Sequence, residues 1–342
     1  MSDPAPEKRR IHRLARFEHR IHVWRESRAR RRGRTPTVVP FPGYGGAGWV
    51  RVVGRVLIVK PRRRTASGDL MSVRGWRSFV GVPVSFASVK VRIGDAEHVL
   101  IADRGGVVDS VVPAQLAPGW QEFTMSVEDQ EPVHARTFVV GEDISVGIVS
   151  DVDDTVMVTA LPRPLIAAWN SFVVDEHARL PVPGMSVLLE QLAVQNPGSP
   201  IIYLSTGAWN VAPTLQRFLG RHLFPKGSML LTDWGPTHDR WFRSGREHKL
   251  SNLRRLATEF PGVRWLLIGD DGQHDEAIYA QFQEEHPDSV LGVAIRRLSA
   301  TEAVLAGGRT HDTEHHDDSV PWVAASDGAG LRNRLTRAGL MR

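Results

Sequence analysis

Carboxylate side chains follow two apolar segments of the sequence at short spacing. Asp151 and Asp153 come directly after the apolar run 146–149, and Asp270 and Asp275 follow the apolar run 265–268. Two carboxylates placed two residues apart at the end of a buried strand are costly to desolvate unless something binds them. Carboxylates in this position can attack an electrophile, transfer protons or hold a hard cation.

A hydroxyl group and an ammonium group occur in the same part of the chain. Ser205 follows the apolar run 201–204, and Lys249 opens the helix-like stretch 247–260. Phosphoryl transfer through an aspartyl-phosphate uses these group types: one carboxylate attacks phosphorus, a second moves the protons, and magnesium, a hydroxyl and an ammonium hold the transferring group. The chain lacks a Gly-rich phosphate loop ending in Lys-Ser or Lys-Thr, which disfavours nucleotide hydrolysis by that route.

From residue 143 to 300, apolar strand-like runs alternate with helix-like stretches. This alternation indicates an α/β domain with a parallel sheet covered on both faces. Ligands bind beyond the carboxyl ends of such strands, so the polar residues described above are expected to meet at one edge of the sheet. The predicted strands are 146–149, 201–204, 229–231, 265–268 and 290–295, and the predicted helices are 185–195, 211–222, 247–260 and 275–285.

The region before this domain has a strand-like pattern. Residues 49–142 contain short Val-rich runs between Gly, Pro and Asp, which predicts a β-rich domain resembling an immunoglobulin-like sandwich, with a strand order that the sequence leaves open. The Pro/Gly-rich stretch 36–48 is interpreted as a linker. The predicted strands are 50–59, 82–93, 98–102, 122–127 and 135–140.

Basic charge is concentrated at the start of the chain. Residues 1–35 hold 12 of the 43 Lys and Arg residues, although the net charge of the whole chain is only +5. Within 8–34, apolar residues recur on one helical face, which predicts a basic amphipathic helix that binds an anionic membrane or packs against the body of the protein. These residues are Ile11, Leu14, Phe17, Ile21 and Trp24. Nucleic acid is a disfavoured partner, because no aromatic-rich recognition motif accompanies the arm.

Composition excludes several classes of site. The chain has no cysteine, which excludes disulfides, thiolate zinc sites, iron–sulfur clusters and a cysteine nucleophile. No run approaches the roughly 18–20 apolar residues that span a bilayer, and residues 1–13 lack the apolar core of a secretory signal. We therefore expect a cytoplasmic protein, with the arm providing peripheral contact with the inner face of the membrane.

Two further segments have more than one interpretation. Apolar residues within 165–173 predict either an apolar wall for acyl chains beside the site or an ordinary cap packed on the core. The His- and Asp-rich run 311–318 lies in an acidic loop and C-terminal tail, 301–342. Its ligand spacing favours a solvated loop over a metal site. Trp322 and the stretch 331–340 are expected to pack back on the domain.

The ordered motifs over about residues 145–298 resemble the haloacid-dehalogenase phosphatase superfamily. In finer detail they are similar to the actin-patch-type phosphatidate phosphatase catalytic-domain family, which is related to lipins. The motifs are Asp-Val-Asp-Asp-Thr at 151–155, Leu-Ser at 204–205 with Trp209 downstream, His-Lys at 248–249, and Ile-Gly-Asp-Asp-Gly-Gln-His-Asp at 268–275. The sequence departs from the family at 207–208, where Gly-Ala replaces a more Ser/Pro-like turn.

The resemblance implies a haloacid-dehalogenase-like Rossmannoid sheet and a role for each polar residue. Asp151 would be the nucleophile, and Asp153 would be the general acid and base. Ser205 would bind the phosphoryl oxygens, and Lys249 would stabilise the nucleophile and the intermediate.

The resemblance also implies a magnesium site. Asp151, the backbone carbonyl of Asp153, and Asp270 would hold Mg²⁺, with Asp275 or Asp271 assisting. The implied activity is Mg²⁺-dependent hydrolysis of phosphatidate to diacylglycerol and phosphate. Two alternatives stay open, namely the same chemistry on a soluble phosphomonoester, and a lipid-binding module with an idle catalytic site. The intact Asp151 and Asp153 argue against the second alternative.

Overall fold

The computed structural model describes seven stretches of the chain: residue 24 and residues 26–59, 81–158, 179–232, 241–272, 274–305 and 320–342. Three predicted features lie outside them, namely most of the basic arm, the apolar segment 165–173 and the His-rich run 311–318. The chain forms two compact units. The first comprises Met1–Pro40, Val53–Ser110 and Glu122–Ala135, and the second comprises Phe41–Val52, Val111–Gln121 and Arg136–Arg342.

The β-rich part of the chain forms one mixed sheet. Its strand order is β3-β2-β1-β8-β7-β4-β5, with β6 paired to β2. The β1–β8 pair is parallel, whereas β4 runs antiparallel to β5 and β7. The predicted runs 50–59 and 122–127 lie within observed strands, and the runs 98–102 and 135–140 each extend one residue past a strand. The run 82–93 covers two strands separated by a turn, and the strand at 107–113 was not predicted. The immunoglobulin-like arrangement stays a prediction. The strands are β1 (Thr35–Gly46), β2 (Trp49–Val59), β3 (Val82–Pro83), β4 (Ser88–Ile93), β5 (Ala96–Ile101), β6 (Val107–Pro113), β7 (Gly119–Val127) and β8 (Val133–Val139).

The predicted linker over 36–48 is wrong, because β1 occupies most of it. Its glycines are there for close packing. A Cβ atom on Gly43 would lie 2.1 Å from the carbonyl oxygen of Arg51, and one on Gly45 would lie 2.4 Å from that of Trp49. Because only glycine lets the backbone of β2 approach this closely, the composition of a linker here belongs to a strand.

The second unit contains a six-stranded sheet whose neighbouring strands are all parallel. The order is β11-β10-β9-β12-β13-β14, so β9 lies between β10 and β12. The alternation of strands and helices therefore gives the predicted α/β architecture. The strands are β9 (Val146–Asp151), β10 (Ile201–Ala208), β11 (Ser228–Thr232), β12 (Arg264–Asp270), β13 (Val290–Arg296) and β14 (Trp322–Ala325).

Helices cover this sheet and bury their apolar faces. The side chains of Leu250, Leu253 and Leu256 on α3 pack in one core cluster with Tyr279 and Phe282 on α4. Each such side chain contributes roughly 1.5–3 kcal/mol when fully buried. The helices are α1 (Met185–Gln195), α2 (Ala212–Arg221), α3 (Trp241–Glu259), α4 (Asp275–Glu285), α5 (Ala300–Leu305) and α6 (Gly328–Arg337).

The ends of two predicted segments differ from the structure. Helix α3 begins at Trp241, so Lys249 lies near its middle instead of opening it. Gly245, which weakens the helical pattern, lies against Thr206, where a Cβ atom would be 3.1 Å from the Thr206 Cγ2 atom.

The sheet also continues past residue 300, because β14 pairs with β13 and α6 packs on α1. The described residues 320–342 therefore pack on the domain. This agrees with the expectation that Trp322 packs back on it.

Within the described stretches, no helix is both long and apolar enough to span a membrane.

Candidate active site

The carboxyl ends of three adjacent strands bring the polar motifs together. Asp151 ends β9, and its register partner on β10 is Leu204, the residue before Ser205. On the other side, Ser150 pairs with Ile268 of β12, two residues before Asp270 ends that strand. The convergence predicted from the sequence is therefore observed, because the parallel order β10-β9-β12 places these ends side by side.

Three aspartates form a buried cluster at this edge. Oxygens of Asp151, Asp270 and Asp275 lie within 4.8 Å of one another, and all three residues are at most 1% exposed. The Lys249 Nζ atom lies 2.6 Å from Asp151 Oδ1 and 2.5 Å from Asp275 Oδ1. One ammonium group thus faces three carboxylates, which leaves an excess of negative charge when all three are ionised.

This arrangement changes the pKa values of Asp151, Asp270 and Lys249, and the causes of each change can be separated. Burial raises the pKa of Asp151 well above its ordinary value; Lys249 opposes this rise, and the charges of Asp275 and Asp153 add to it. Burial also raises the pKa of Asp270, and the neighbouring Asp275 and Asp151 raise it further. Burial alone would lower the pKa of Lys249, but the surrounding carboxylates, Asp151 first, outweigh it and raise that pKa. The lysine therefore stays charged.

Several carboxylate oxygens of the cluster have capacity to bind a cation. Asp151 Oδ2 and Asp270 Oδ2 are buried and accept no hydrogen bond from the part of the chain that the structure describes. Asp151 Oδ1 forms a close ion pair with the Lys249 ammonium. Buried carboxylate oxygens without partners are costly. An oxygen-only set of this kind suits a hard divalent cation, so the residues fit the predicted metal.

Asp153 and Ser205 are in direct contact beside the cluster. The Ser205 hydroxyl donates a hydrogen bond of 2.9 Å to Asp153 Oδ2 and accepts one of 3.0 Å from the Gly207 amide. The Thr232 hydroxyl lies 3.1 Å from the Thr206 carbonyl oxygen and 3.3 Å from that of Gly207, and donates to this pair. The turn at residues 206–208 is thus held by hydrogen bonds with Ser205 and Thr232.

A tight turn after β9 presents Asp153. The amides of Val156 and Met157 donate to the Val152 carbonyl at 3.0 and 3.1 Å, and the Asp154 amide donates to the Met157 carbonyl at 2.8 Å. Asp154 has a φ of 59°, a left-handed conformation that Asp tolerates better than most residues. The direction of the chain at Asp153 is therefore set by backbone hydrogen bonds on both sides of it.

The structure separates Asp275 from Asp271. Asp275 Oδ2 accepts a 3.3 Å hydrogen bond from the Asp270 amide, whereas Asp271 Oδ1 accepts one of 2.8 Å from the Leu298 amide. A Cβ atom on Gly269 would lie 2.6 Å from Asp275 Oδ2, so only glycine there lets Asp275 reach the cluster. Of the two candidates for assisting the metal, Asp275 is the one within the cluster.

One site residue was not identified from the sequence. Arg296 is buried at the end of β13, where its Nη1 atom donates to the Asp154 carbonyl at 2.6 Å and its Nη2 atom donates to Glu302 at 2.7 Å. It thereby anchors the turn that carries Asp153. The available signal was a cation directly after an apolar strand-like run, a position that usually requires a specific partner.

Comparison with known proteins identifies the same region of the chain. Residues 146–297 match the family described as phosphatidate phosphatase APP1, catalytic domain. Phosphatidate phosphatase APP1 of Saccharomyces cerevisiae is 21% identical over 176 residues, which cover 51% of this chain and 28% of that protein. An uncharacterized protein of Schizosaccharomyces pombe is 26% identical over 160 residues, which cover 44% and 25% respectively. The matched region spans about a quarter of the length of these curated relatives.

Similarity to solved structures is weak. A carbohydrate acetylesterase from Xanthomonas citri aligns with a TM-score of 0.28 at 11% identity, covering 80% of this chain and 73% of that one. A score of this size supports no argument about fold or activity.

Proposed function

Because residues 146–297 belong to the phosphatidate phosphatase APP1 catalytic-domain family, we propose that this chain hydrolyses phosphatidate to diacylglycerol and phosphate. The observation that carries the proposal is the buried cluster at the carboxyl ends of the parallel strands, with Asp153 beside it. Helix capping and surface ion pairing would not explain why several carboxylates are buried around one lysine. A phosphoryl-transfer site does, because it must hold a nucleophile and neutralise a phosphate at the same place.

In this proposal, the carboxylates of Asp151 and Asp153 act in different steps. A carboxylate oxygen of Asp151 attacks phosphorus in line, and the bond from phosphorus to the diacylglycerol oxygen breaks. Asp153 donates its proton to that leaving oxygen. Asp153 then takes a proton from a water molecule that attacks the aspartyl-phosphate, which releases phosphate and restores the Asp151 carboxylate.

Lys249 and Ser205 position these groups. Lys249 bridges Asp151 and Asp275, which orients the nucleophile and places a positive charge beside the acyl-phosphate. Ser205 donates to Asp153 Oδ2 and thereby orients the carboxyl group that carries the transferable proton. In the proposal, Ser205 also binds a phosphoryl oxygen once the substrate has entered.

The proposed cofactor is Mg²⁺. The carboxylates of Asp151, Asp270 and Asp275 and the backbone carbonyl of Asp153 would hold it. The buried Asp270 Oδ2, which accepts no hydrogen bond from the described residues, supports this assignment. When bound, Mg²⁺ supplies neutralisation of the negative charge on the phosphate oxygens.

The proposal includes a haloacid-dehalogenase-like topology for the parallel sheet. Its support is the position of the proposed nucleophile at the end of β9, between the strands that bear Ser205 and Asp270.

Phosphate release from phosphatidate in detergent micelles, compared with a panel of soluble phosphomonoesters in Mg²⁺ buffer, tests the substrate. We expect the highest kcat/KM with phosphatidate. A higher kcat/KM with a soluble monoester would mean that the substrate is a soluble phosphomonoester and not the lipid. Release from none of them, with phosphatidate still bound, would favour the lipid-binding module.

We further propose that the basic arm holds the protein at an anionic bilayer, where phosphatidate lies. The described end of the arm contacts other residues of the protein, because Arg30 Nη2 pairs with Glu128 Oε1 at 2.7 Å and Ala29 is buried. Trp24, by contrast, is 61% exposed. Membrane contact is therefore assigned to the residues before 26, and each basic residue near the surface contributes about 1 kcal/mol.

Deleting residues 1–23 is expected to weaken co-sedimentation with anionic liposomes at low salt. High salt should weaken binding of the full chain in the same way, because charge attraction is screened. Turnover of a soluble phosphomonoester should be unchanged by the deletion, which serves as the control for folding. Equal liposome binding by the deleted and full-length chains would eliminate the idea.

A further inference from the structure

Residues 156–158 pair antiparallel with residues 180–182, and this pairing, called the hairpin below, brings the second segment to the turn that carries Asp153. The Val158 amide donates to the Leu180 carbonyl at 2.9 Å, and the Val182 amide donates to the Val156 carbonyl at 3.0 Å. Met157 pairs with Pro181 between these two hydrogen bonds. Residues far apart in sequence therefore lie together beside the site, and the described part of the second segment begins at Arg179.

The side chain of Arg179 lies along this hairpin towards Asp153. Its Nη1 atom donates to the Met157 Sδ atom at 3.4 Å, and Met157 also forms a β-bridge with Asp153. The side chain is half-buried. Burial lowers the pKa of the Arg179 guanidinium, and the charge of Asp153 opposes this shift. The guanidinium stays protonated at any physiological pH, so a permanent positive charge stands beside the proposed general acid.

We propose that Arg179 binds the phosphate group of the substrate, on the side of the leaving oxygen that Asp153 protonates. This inference rests on the proposed function, to which it adds a residue that the sequence motifs do not contain. The transferring group must lie within reach of both Asp151 and Asp153, and the hairpin brings Arg179 to the Asp153 side of that position.

The charge balance of the site supports this assignment. Lys249 is already shared between Asp151 and Asp275, so its charge is largely offset before a phosphate enters. A phosphomonoester brings up to two further negative charges. Arg179 adds a cation on the Asp153 side, and its planar guanidinium can donate two parallel hydrogen bonds to phosphate oxygens.

Binding of inorganic phosphate, measured by calorimetry in Mg²⁺ buffer, tests this role without any turnover. Arg179→Gln should weaken phosphate binding by about tenfold or more, because a charge-assisted hydrogen bond is lost. Arg179→Lys should fall between this variant and the wild type, since it keeps the charge but not the two parallel donors. Arg264→Gln is the matched control, because Arg264 is exposed at the start of β12, at the opposite end of that strand from Asp270. It should bind phosphate as the wild type does.

Kinetics with the preferred phosphomonoester provide the second measurement. Arg179→Gln should raise KM in parallel with the loss of phosphate affinity. Unchanged phosphate affinity in Arg179→Gln would overturn the inference, including the case in which kcat or thermal stability falls, because that pattern would mean a purely structural role. If the wild type binds phosphate through Arg179 but hydrolyses no monoester, the proposed function fails, and Arg179 remains a phosphate-binding residue of a site that does not turn over.

Discussion

Replacing Asp151 by asparagine is expected to abolish phosphate release while the fold is retained. An amide cannot attack phosphorus to form the acyl-phosphate, so the rate should fall below about one thousandth of the wild-type rate. The fold should survive because Asp151 is one of three buried carboxylates around one lysine, and Lys249 keeps its 2.5 Å contact with Asp275. Steady-state phosphate release and thermal unfolding of the same preparation measure both expectations.

Two neighbouring aspartates provide matched comparisons for this variant. Asp153→Asn should lower kcat by about 10²–10⁴-fold, because its amide cannot donate the proton to the leaving oxygen. Asp271→Asn should keep nearly full activity, because the amide oxygen can still accept the hydrogen bond from the Leu298 amide. Substantial turnover by Asp151→Asn, in a sample free of contaminating phosphatase, would contradict the covalent mechanism.

The parallel sheet was predictable because its strands are buried on both faces. Such strands are continuous apolar runs, and the predicted runs 146–149, 201–204 and 265–268 all lie within observed strands. The chemistry-bearing residues follow directly from these runs. Since the carboxyl ends of parallel strands share one edge, locating the strands was sufficient to predict that Asp151, Ser205 and Asp270 converge.

Features set by close backbone approach were not predictable in the same way. The glycines of β1 have the composition of a linker, and their reason becomes visible only once β2 packs against them. The choice between Asp271 and Asp275 likewise depends on geometry beyond spacing. His274 adopts a φ of 68° before α4, and Gly269 leaves space for the Asp275 carboxylate. Spacing alone permits either aspartate to reach the cluster.

Partners that are distant in sequence form the second group of unpredicted features. Arg296 contacts the Asp154 carbonyl across 142 positions of sequence, and the hairpin pairing of Met157 with Pro181 brings Arg179 beside Asp153. Neither arginine belongs to a motif. Their roles depend on tertiary contacts that local periodicity does not encode.

Removing divalent cations is expected to abolish phosphate release, and Mg²⁺ is expected to restore it. The buried cluster has three carboxylates and one ammonium, so a bound dication offsets the excess negative charge of the ionised cluster before a phosphate enters. Calcium should restore activity poorly, because it prefers looser and higher coordination than Mg²⁺. Phosphate release in chelator, followed by titration of each cation, is the measurement. Full activity in chelator would contradict the assignment.

Thermal unfolding of Asp270→Asn separates metal binding from catalysis. Mg²⁺ at about 100 times its Kd should stabilise the wild type by about 2.7 kcal/mol, which corresponds to a rise in Tm of several degrees. The variant should show little or none of this rise, because it loses one carboxylate ligand. Its Oδ1 atom can still accept the 2.6 Å hydrogen bond from the Gly272 amide. In chelator the variant should therefore be at least as stable as the wild type, since one of three clustered buried charges is gone. An equal Mg²⁺-dependent rise in Tm for both proteins would show that Asp270 does not hold the metal.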